Sequence, residues 1–108
     1  MGLVQKRCIP CEADTPPLTA EEVTNYKSQV SNWTVSADKK SISKEFRFKD
    51  FAQAFAFAGK IAAIAQAEGH HPDLSIGWGR VGVELSTHAI KGLSENDFIL
   101  AAKLDSIQ

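Results

Sequence analysis

Three histidines are the residues of this sequence best suited to chemistry, and the chain has no others. His70 and His71 are adjacent, and His88 follows them closely. An imidazole ordinarily titrates at about pH 6.5, so it can donate or accept a proton near neutral pH. Their concentration between residues 68 and 88 predicts a site for proton transfer.

The spacing of these imidazoles leaves three interpretations open. Two or three rings around a small substrate could act as general acid and general base. Three histidines could also form an open zinc site of the hydrolytic kind. The adjacent pair argues against zinc, because neighbouring side chains on an extended backbone point apart. In the third interpretation the rings cap the end of the preceding helix and satisfy loop carbonyls. Spacing alone does not separate catalysis from this structural role.

The composition is that of one soluble globular domain of 108 residues, with 44% hydrophobic residues, 23% charged residues and a net charge of −1. Basic residues cluster only as Lys6-Arg7 and Lys39-Lys40, which argues against direct binding to nucleic acid. No apolar run approaches the roughly 20 residues that span a membrane, and residues 1–7 lack the apolar centre of a signal peptide. We therefore expect a cytoplasmic protein.

The two cysteines form a single motif, Cys8-Ile9-Pro10-Cys11. A closed zinc site needs a second pair of ligands, and a redox-active pair is expected at the start of a helix in a βαβ unit. Here the motif lies in a terminal segment that ends in Pro16-Pro17. Two reduced thiols in a loosely held segment are the favoured interpretation. A disulfide or a shared metal site is the alternative.

The first half of the chain predicts one helix and two strands. Thr19 and Glu22 form a capping box that begins a helix over 19–31. Alternating apolar and polar residues then predict strands over 33–37 and 42–48. The apolar side of the second strand is interrupted by Lys44, which indicates a sheet edge or the end of a strand.

The middle of the chain predicts a long, alanine-rich helix over 51–68. Asp50 can cap its start, and Gly69 can end it in a left-handed turn. The apolar stripe of this helix is wide, as on a helix buried against a sheet. We interpret the stripe as core, made of Phe51, Phe55, Phe57, Ala58, Ile61, Ala62, Ile64 and Ala65.

The last third predicts two strands and a helix. The strands cover 73–78 and 81–88, and Gly79-Arg80 fits a two-residue hairpin loop. In the second of these strands, His88 falls on the side opposite the apolar core face. Ser94 can cap the final helix, with Asp97 three residues further on.

The resulting element order is α-β-β-α-β-β-α. Hairpin-length connections within each strand pair predict an α+β fold with a four-stranded antiparallel sheet. We expect three helices packed on one face of that sheet. Residues 1–17 are predicted to be an irregular N-terminal lead-in, and residues 18–108 a single domain.

Residues 68–105 resemble the pterin-4a-carbinolamine dehydratase family. The resemblance begins with His70-His71-Pro72 and the aromatic Trp78. It continues with His88 within Leu85-Ser86-Thr87-His88, and with Gly92-Leu93-Ser94-Glu95 and Asp97 at the head of the last helix. The combined motif is far more specific than any of its parts, and the element order fits the family from about residue 16.

The resemblance implies a lyase that removes water from a 4a-hydroxytetrahydropterin to give the quinonoid dihydropterin for tetrahydrobiopterin recycling. It implies catalysis by His70, His71 and His88, with His71 and His88 favoured for direct proton transfer and His70 for binding or orienting the pterin. It further implies that no metal and no organic cofactor is required. The substrate-binding residues that it implies are Pro72, Asp73, Trp78, Ser86 and Thr87.

Two positions depart from the pattern of the family. Many relatives have an acidic residue where Gln66 stands, and some have an arginine where Asn96 stands. The family also contains homodimers and homotetramers, and its animal members act as dimerisation cofactors of a homeodomain transcription factor. The resemblance therefore carries an alternative function, that of a non-enzymatic protein-binding module with a transcription-factor partner.

Overall fold

The computed structural model describes residues 2–9 and 15–108. This part of the chain forms an antiparallel sheet with the strand order β1-β2-β4-β3 and three α-helices, so the predicted α+β fold and its element order are confirmed. The strands are β1 (Thr34–Val35), β2 (Ile42–Arg47), β3 (Asp73–Gly77) and β4 (Arg80–Leu85). The helices are α1 (Ala20–Lys27), α2 (Phe51–Glu68) and α3 (Glu95–Ser106).

The core lies between the helices and one face of the sheet. The two central strands pair Ile42 with Leu85 and Phe46 with Val81, and all four side chains are buried. They alternate with exposed polar residues, as a sheet with one covered face requires. Buried side chains of α2 and α3 complete the same cluster, among them Phe57, Ile61, Phe98, Leu100 and Leu104.

The boundaries of α2 agree with the sequence because both of its caps are local. The Asp50 carboxylate accepts a hydrogen bond from the Gln53 amide at 2.8 Å, and Gly69 ends the helix with φ = 68°. Helix α1 ends at Lys27 rather than at residue 31. There the Ser28 hydroxyl donates to the Asn25 carbonyl, a local bond that competes with the helical pattern.

Lys44 lies in a central strand, so the prediction of a sheet edge or strand end at this residue is wrong. Its ammonium is 2.7 Å from Asp105 Oδ1 and donates to the Ser31 carbonyl at 2.9 Å. It also lies 4.7 Å from the centre of the Phe46 ring. The charge is therefore paired within the fold, which allows a lysine to occupy a core-facing position.

Two strand boundaries differ from the prediction. Gly77 pairs with Arg80, so the hairpin loop is Trp78-Gly79, one residue earlier than expected. Gly79 takes φ = 73°, a conformation that favours glycine. Strand β1 has only two residues, because the Ser36 hydroxyl accepts the amide of Ser41 and closes a turn.

The apolar stripe of α2 is only partly core. Phe57 and Ile61 are buried, as are Ala58 and Ala65, whereas Ala62 is exposed. The side chains of Phe51 and Phe55 are 48% and 61% exposed, so their assignment to the core is wrong. The helix is apolar over more of its circumference than the sheet and α3 cover.

Residues 2–9, which we call the N-terminal arm, are packed against the domain rather than loosely held. Leu3–Gln5 form a short 3₁₀-helix beside α3, and Leu3 is buried. Cys11 lies outside the described residues, so only Cys8 of the predicted motif is described, as a free thiol. No helix in the described ranges is both long enough and apolar enough to cross a membrane.

Candidate active site

The three histidines come from two chain segments that meet at one end of the sheet. His70 and His71 follow Gly69, where the left-handed turn ends α2. His88 begins a 3₁₀-helix, His88–Ile90, shortly after β4. All three line one pocket of about 180 Å³, together with Ser86 and Thr87. Five of the eight site residues implied by the sequence are thus brought together.

The position of His88 differs from the sequence-based expectation. Strand β4 ends at Leu85, so His88 does not lie on that strand. Thr87 pairs with Gly92 through its backbone, and its hydroxyl donates to Asp97 Oδ2 at 2.8 Å. These bonds bury Thr87 and turn the chain away from the sheet. The His88 side chain is exposed at the rim of the pocket.

A buried carboxylate orients His70. Asp97 is fully buried, and its Oδ1 lies 2.6 Å from His70 Nε2. Its Oδ2 accepts hydrogen bonds from the Thr87 hydroxyl and, at 3.0 Å, from the Ser94 backbone amide. Because an ionised carboxylate only accepts hydrogen bonds, His70 Nε2 carries the proton in this contact. Asp97 thus fixes the ring through Nε2 and leaves Nδ1 outside this contact.

His71 is oriented by a neutral side chain. Its Nε2 lies 3.0 Å from Gln66 Oε1, one turn back on α2. The amide oxygen is an acceptor, so in this arrangement the imidazole donates a hydrogen bond from Nε2. Gln66 therefore orients the ring without placing a negative charge beside it.

The remaining predicted site residues lie outside the pocket lining. Pro72 and Asp73 continue the chain from His71 into β3. Trp78 is in the hairpin loop at the opposite end of β3, roughly 15–20 Å away along the strand, and its side chain is 74% exposed. Within this chain, Trp78 and the histidines are therefore not brought together.

Five described residues adjoin the histidines that the sequence had not assigned to the site, namely Ile9, Gly69, Ala89, Asn96 and Asp97. Asp97 had been recognised only as a helix-capping residue and part of a motif. The sequence offered one further signal for Asp97, because this capping residue and the histidines belong to the same family motif. Ile9 gave no signal, because its approach to the pocket depends on contacts between residues far apart in the chain.

Cys8 lies beside the pocket but has the properties of a buried thiol. Its amide donates to Glu68 Oε1 at 2.8 Å, and its Sγ is 3.6 Å from the Asn96 carbonyl oxygen. Burial, reinforced by the negative charge of Glu68, raises the pKa of Cys8 to about 12. At neutral pH it is a protonated thiol, which is a poor nucleophile and a poor metal ligand.

No group of three His, Cys, Asp or Glu side chains within residues 2–9 and 15–108 is arranged to hold a metal ion. A wider hollow of about 560 Å³ lies on the open face of the sheet, between Ser43, Asp73 and Glu84. No histidine or cysteine lines it. The histidine pocket is therefore the candidate active site.

The fold and this pocket define a class: a small α+β protein with three histidines that line one pocket. Residues 16–107 match the family model described as pterin 4 alpha carbinolamine dehydratase. A protein from Methylococcus capsulatus with the provisional name pterin-4-alpha-carbinolamine dehydratase is 47% identical over 106 residues, which cover 98% of this chain and 93% of that protein. The chain belongs to the pterin-4a-carbinolamine dehydratase family.

Two solved structures share the fold. The crystal structure of a transcriptional coactivator/pterin dehydratase from Brucella melitensis has a TM-score of 0.80 and 33% identity, over 84% of this chain and 97% of that one. A pterin dehydratase-like protein, described as a RuBisCO assembly factor in the alpha-carboxysome, has a TM-score of 0.60 and 28% identity, over 69% of this chain and 87% of that one. Proteins of this fold thus carry names from more than one functional class.

Proposed function

We propose that the protein is a 4a-hydroxytetrahydrobiopterin dehydratase that works by general acid–base catalysis. The observation that supports this most directly is the convergence of His70, His71 and His88 on one pocket. Family membership supplies the substrate class, a pterin-4a-carbinolamine. The product would be the quinonoid dihydropterin, and the reaction would serve tetrahydrobiopterin recycling in the cytoplasm.

The elimination needs two proton transfers. One imidazolium donates a proton to the hydroxyl on C4a as the C4a–O bond breaks, so that water leaves. A neutral imidazole accepts the proton on N5, and the N5–H electron pair forms the C4a=N5 double bond. The two rings exchange their protonation states in each turnover, and proton exchange with solvent restores them.

We assign the two proton transfers to His71 and His88, which are both exposed at the pocket. His70 is held by the buried Asp97 through one ring nitrogen, a pairing suited to a fixed binding position. The proposed mechanism uses no metal and no organic cofactor. It assigns substrate contacts to Ser86 and Thr87, which line the pocket.

The test is stopped-flow measurement of carbinolamine dehydration by the wild type, His71→Ala and His88→Ala. We expect the wild type to accelerate the spontaneous reaction and each variant to lose about a hundredfold or more of that acceleration. A wild type that leaves the spontaneous rate unchanged would contradict the enzymatic function. Stoichiometric zinc in the purified protein, removed by His88→Ala, would contradict the metal-free mechanism.

A second candidate function is that of a protein-binding module, including self-association as a homodimer or homotetramer. The exposed pair Phe51 and Phe55 supports it, because their rings stack at 6.2 Å and form an apolar patch on α2. The names of the two structural relatives, a coactivator and an assembly factor, are consistent with such a role. A transcription-factor partner, as in animal members of the family, is one form that it could take.

The two functions are separable by experiment. Phe51→Ser with Phe55→Ser removes the apolar patch without touching the histidine pocket, and both side chains are exposed enough to be replaced without opening the core. If the patch mediates self-association, light scattering will show a smaller particle for the double variant. An unchanged mass would contradict a role for this surface in self-association.

A further inference from the structure

The N-terminal arm is attached to the domain by contacts along its whole described length. Leu3 is buried in the core, and the Val4 carbonyl accepts a hydrogen bond from Lys103 at 2.8 Å. Lys6 Nζ lies 2.7 Å from Glu95 Oε2. These contacts lead the arm along α3 towards the histidine pocket, which its residue Ile9 reaches.

A single buried side chain fixes the last described residue of the arm. Asn96, which is 5% exposed, accepts the Ile9 amide with its Oδ1 at 3.0 Å and donates from its Nδ2 to the Ile9 carbonyl. Both backbone polar groups of Ile9 are therefore paired by one amide, in the manner of a strand partner. This pairing restricts the orientation of the Ile9 peptide and hence the direction of its side chain.

The Ile9 side chain is apolar and 69% exposed, although the backbone of this residue is held by Asn96. It lines the pocket beside the histidines. Among the described residues it is the one large aliphatic side chain of a lining that otherwise consists of Gly69, His70, His71, Ser86, Thr87, His88, Ala89 and Asn96. A protein gains free energy when a ligand removes such a surface from water.

We propose that Ile9 is a substrate-contacting residue of this site, the apolar wall on which one face of a bicyclic heterocycle packs, and that Asn96 is its positioning residue. This inference rests on the proposed function for the identity of the ring. A 4a-hydroxytetrahydropterin has polar groups along its edges and its hydroxyl on one face, which leaves the other face less polar. The histidines and hydroxyls of the pocket suit its edges, and Ile9 supplies a surface for a face.

The small size of the pocket supports the proposal that the N-terminal arm contributes part of the substrate-binding surface. Its volume of about 180 Å³ is below the roughly 300 Å³ at which ligand pockets of drug-like size begin. A ring that enters it therefore remains partly outside the concave part. There it can lie against Ile9 at the rim.

The test compares Ile9→Ala with the matched variant Val4→Ala, which shortens another exposed aliphatic side chain of the same arm away from the histidines. Dehydration kinetics give kcat and KM, and calorimetric titration gives the Kd for 7,8-dihydrobiopterin, which has no 4a-hydroxyl to lose. We expect Ile9→Ala to raise KM and Kd by about fivefold to twentyfold with kcat within about twofold. Val4→Ala should match the wild type.

The role of Asn96 is tested by comparing the KM of the double variant with the KM values of the two single variants. Asn96→Leu removes both bonds to Ile9 and should raise KM to a similar extent, whereas adding Ile9→Ala to it should raise KM little further. A variant that was merely less stable would instead lose active protein and lower the apparent kcat, with KM unchanged. Additive KM effects of the two substitutions would overturn the positioning role.

The possible failures are distinguishable. An active wild type whose KM and Kd are unchanged by Ile9→Ala overturns this inference and leaves the proposed function standing. A wild type that binds the dihydropterin through Ile9 but does not accelerate dehydration overturns the proposed function alone. A wild type that neither binds the dihydropterin nor accelerates the reaction overturns both.

Discussion

His70 Nε2 and Asp97 Oδ1 lie 2.6 Å apart, although 27 positions separate the two residues in the chain. The carboxylate is fully buried and serves two further donors, the Thr87 hydroxyl and the Ser94 amide. One side chain thus caps α3, fixes the turn before His88 and orients His70. The start of a helix and the geometry of the candidate active site therefore depend on the same group.

We expect Asp97→Asn to lower kcat/KM by about tenfold to a hundredfold, as loss of an orienting carboxylate should. The amide replaces one acceptor with a donor, so either His70 or the Thr87 and Ser94 donors lose their partner. An unpaired buried group costs about 1–3 kcal/mol of stability. The measurement is steady-state kinetics well below the unfolding temperature.

The control for Asp97→Asn is Asp105→Asn, which alters another carboxylate of α3. Asp105 accepts from the Trp33 indole and pairs with Lys44, far from the histidines. It should lower the unfolding temperature and leave kcat/KM of the folded protein unchanged. If both variants lose activity equally, the effect of Asp97 is on folding and not on the orientation of His70.

Gln66→Glu places a carboxylate beside His71, because Gln66 Oε1 lies 3.0 Å from His71 Nε2. A negative charge within hydrogen-bond distance favours the protonated imidazole. We expect the pH–rate profile of the variant to move to higher pH by about half a unit to one unit. Gln53→Glu, at the other end of α2, makes the same change in net charge and should leave the profile where it is. A profile that moves equally in both variants would indicate a general charge effect.

Cys8 is expected to resist alkylation in the folded protein. Because burial raises the pKa of its thiol to about 12, only about one molecule in ten thousand carries a thiolate at pH 8. In Cys11→Ser, which leaves Cys8 as the one thiol, iodoacetamide should react about a thousandfold more slowly than with free cysteine. Unfolding in guanidinium should restore the rate. Rapid labelling of the folded variant would contradict the packed arm.

Glu95→Gln tests an ion pair through its pH dependence. A hydrogen bond from Lys6, supported by the Tyr26 hydroxyl, holds the pKa of Glu95 below its usual range. The stabilisation is therefore present above the ordinary carboxyl pKa and is lost as the pH falls through the lowered value. At pH 7 the variant should unfold about 2 °C below the wild type, and in acid well below the lowered pKa of Glu95 the two unfolding temperatures should coincide. A difference that persists in acid would contradict an electrostatic origin.

Replacement by alanine should change the free energy of unfolding in opposite directions at Gly59, within α2, and at Gly69, where α2 ends. Gly69 has φ = 68°, so Gly69→Ala should destabilise the protein by about 1 kcal/mol, although open space surrounds the position. Gly59 lies within the helix, again with no neighbouring atom in the way, so Gly59→Ala should stabilise it by about 0.5–1 kcal/mol. Urea unfolding measures both, and equal signs would contradict the assignment of Gly69 as the helix end.

Which side chains in the apolar stripe of α2 are exposed could not be predicted from the sequence pattern. Helical periodicity identifies which residues share a face of α2, but it does not state how much of that face the rest of the chain covers. Phe57 and Phe55 are equally apolar, yet one is buried and the other is 61% exposed. Lys44 is the reverse case, because an acidic partner 61 positions away in the chain allows its burial.

The family, the element order and the ends of α2 could be predicted from the sequence. Those features depend on neighbours within a few positions, such as the Asp50 cap and the left-handed Gly69, or on a short motif. The orientation of His70 by Asp97, the departure of His88 from the strand and the approach of Ile9 to the pocket became evident only in the folded chain. Each of these depends on hydrogen bonds between different segments of the chain, whose partners local patterns do not specify.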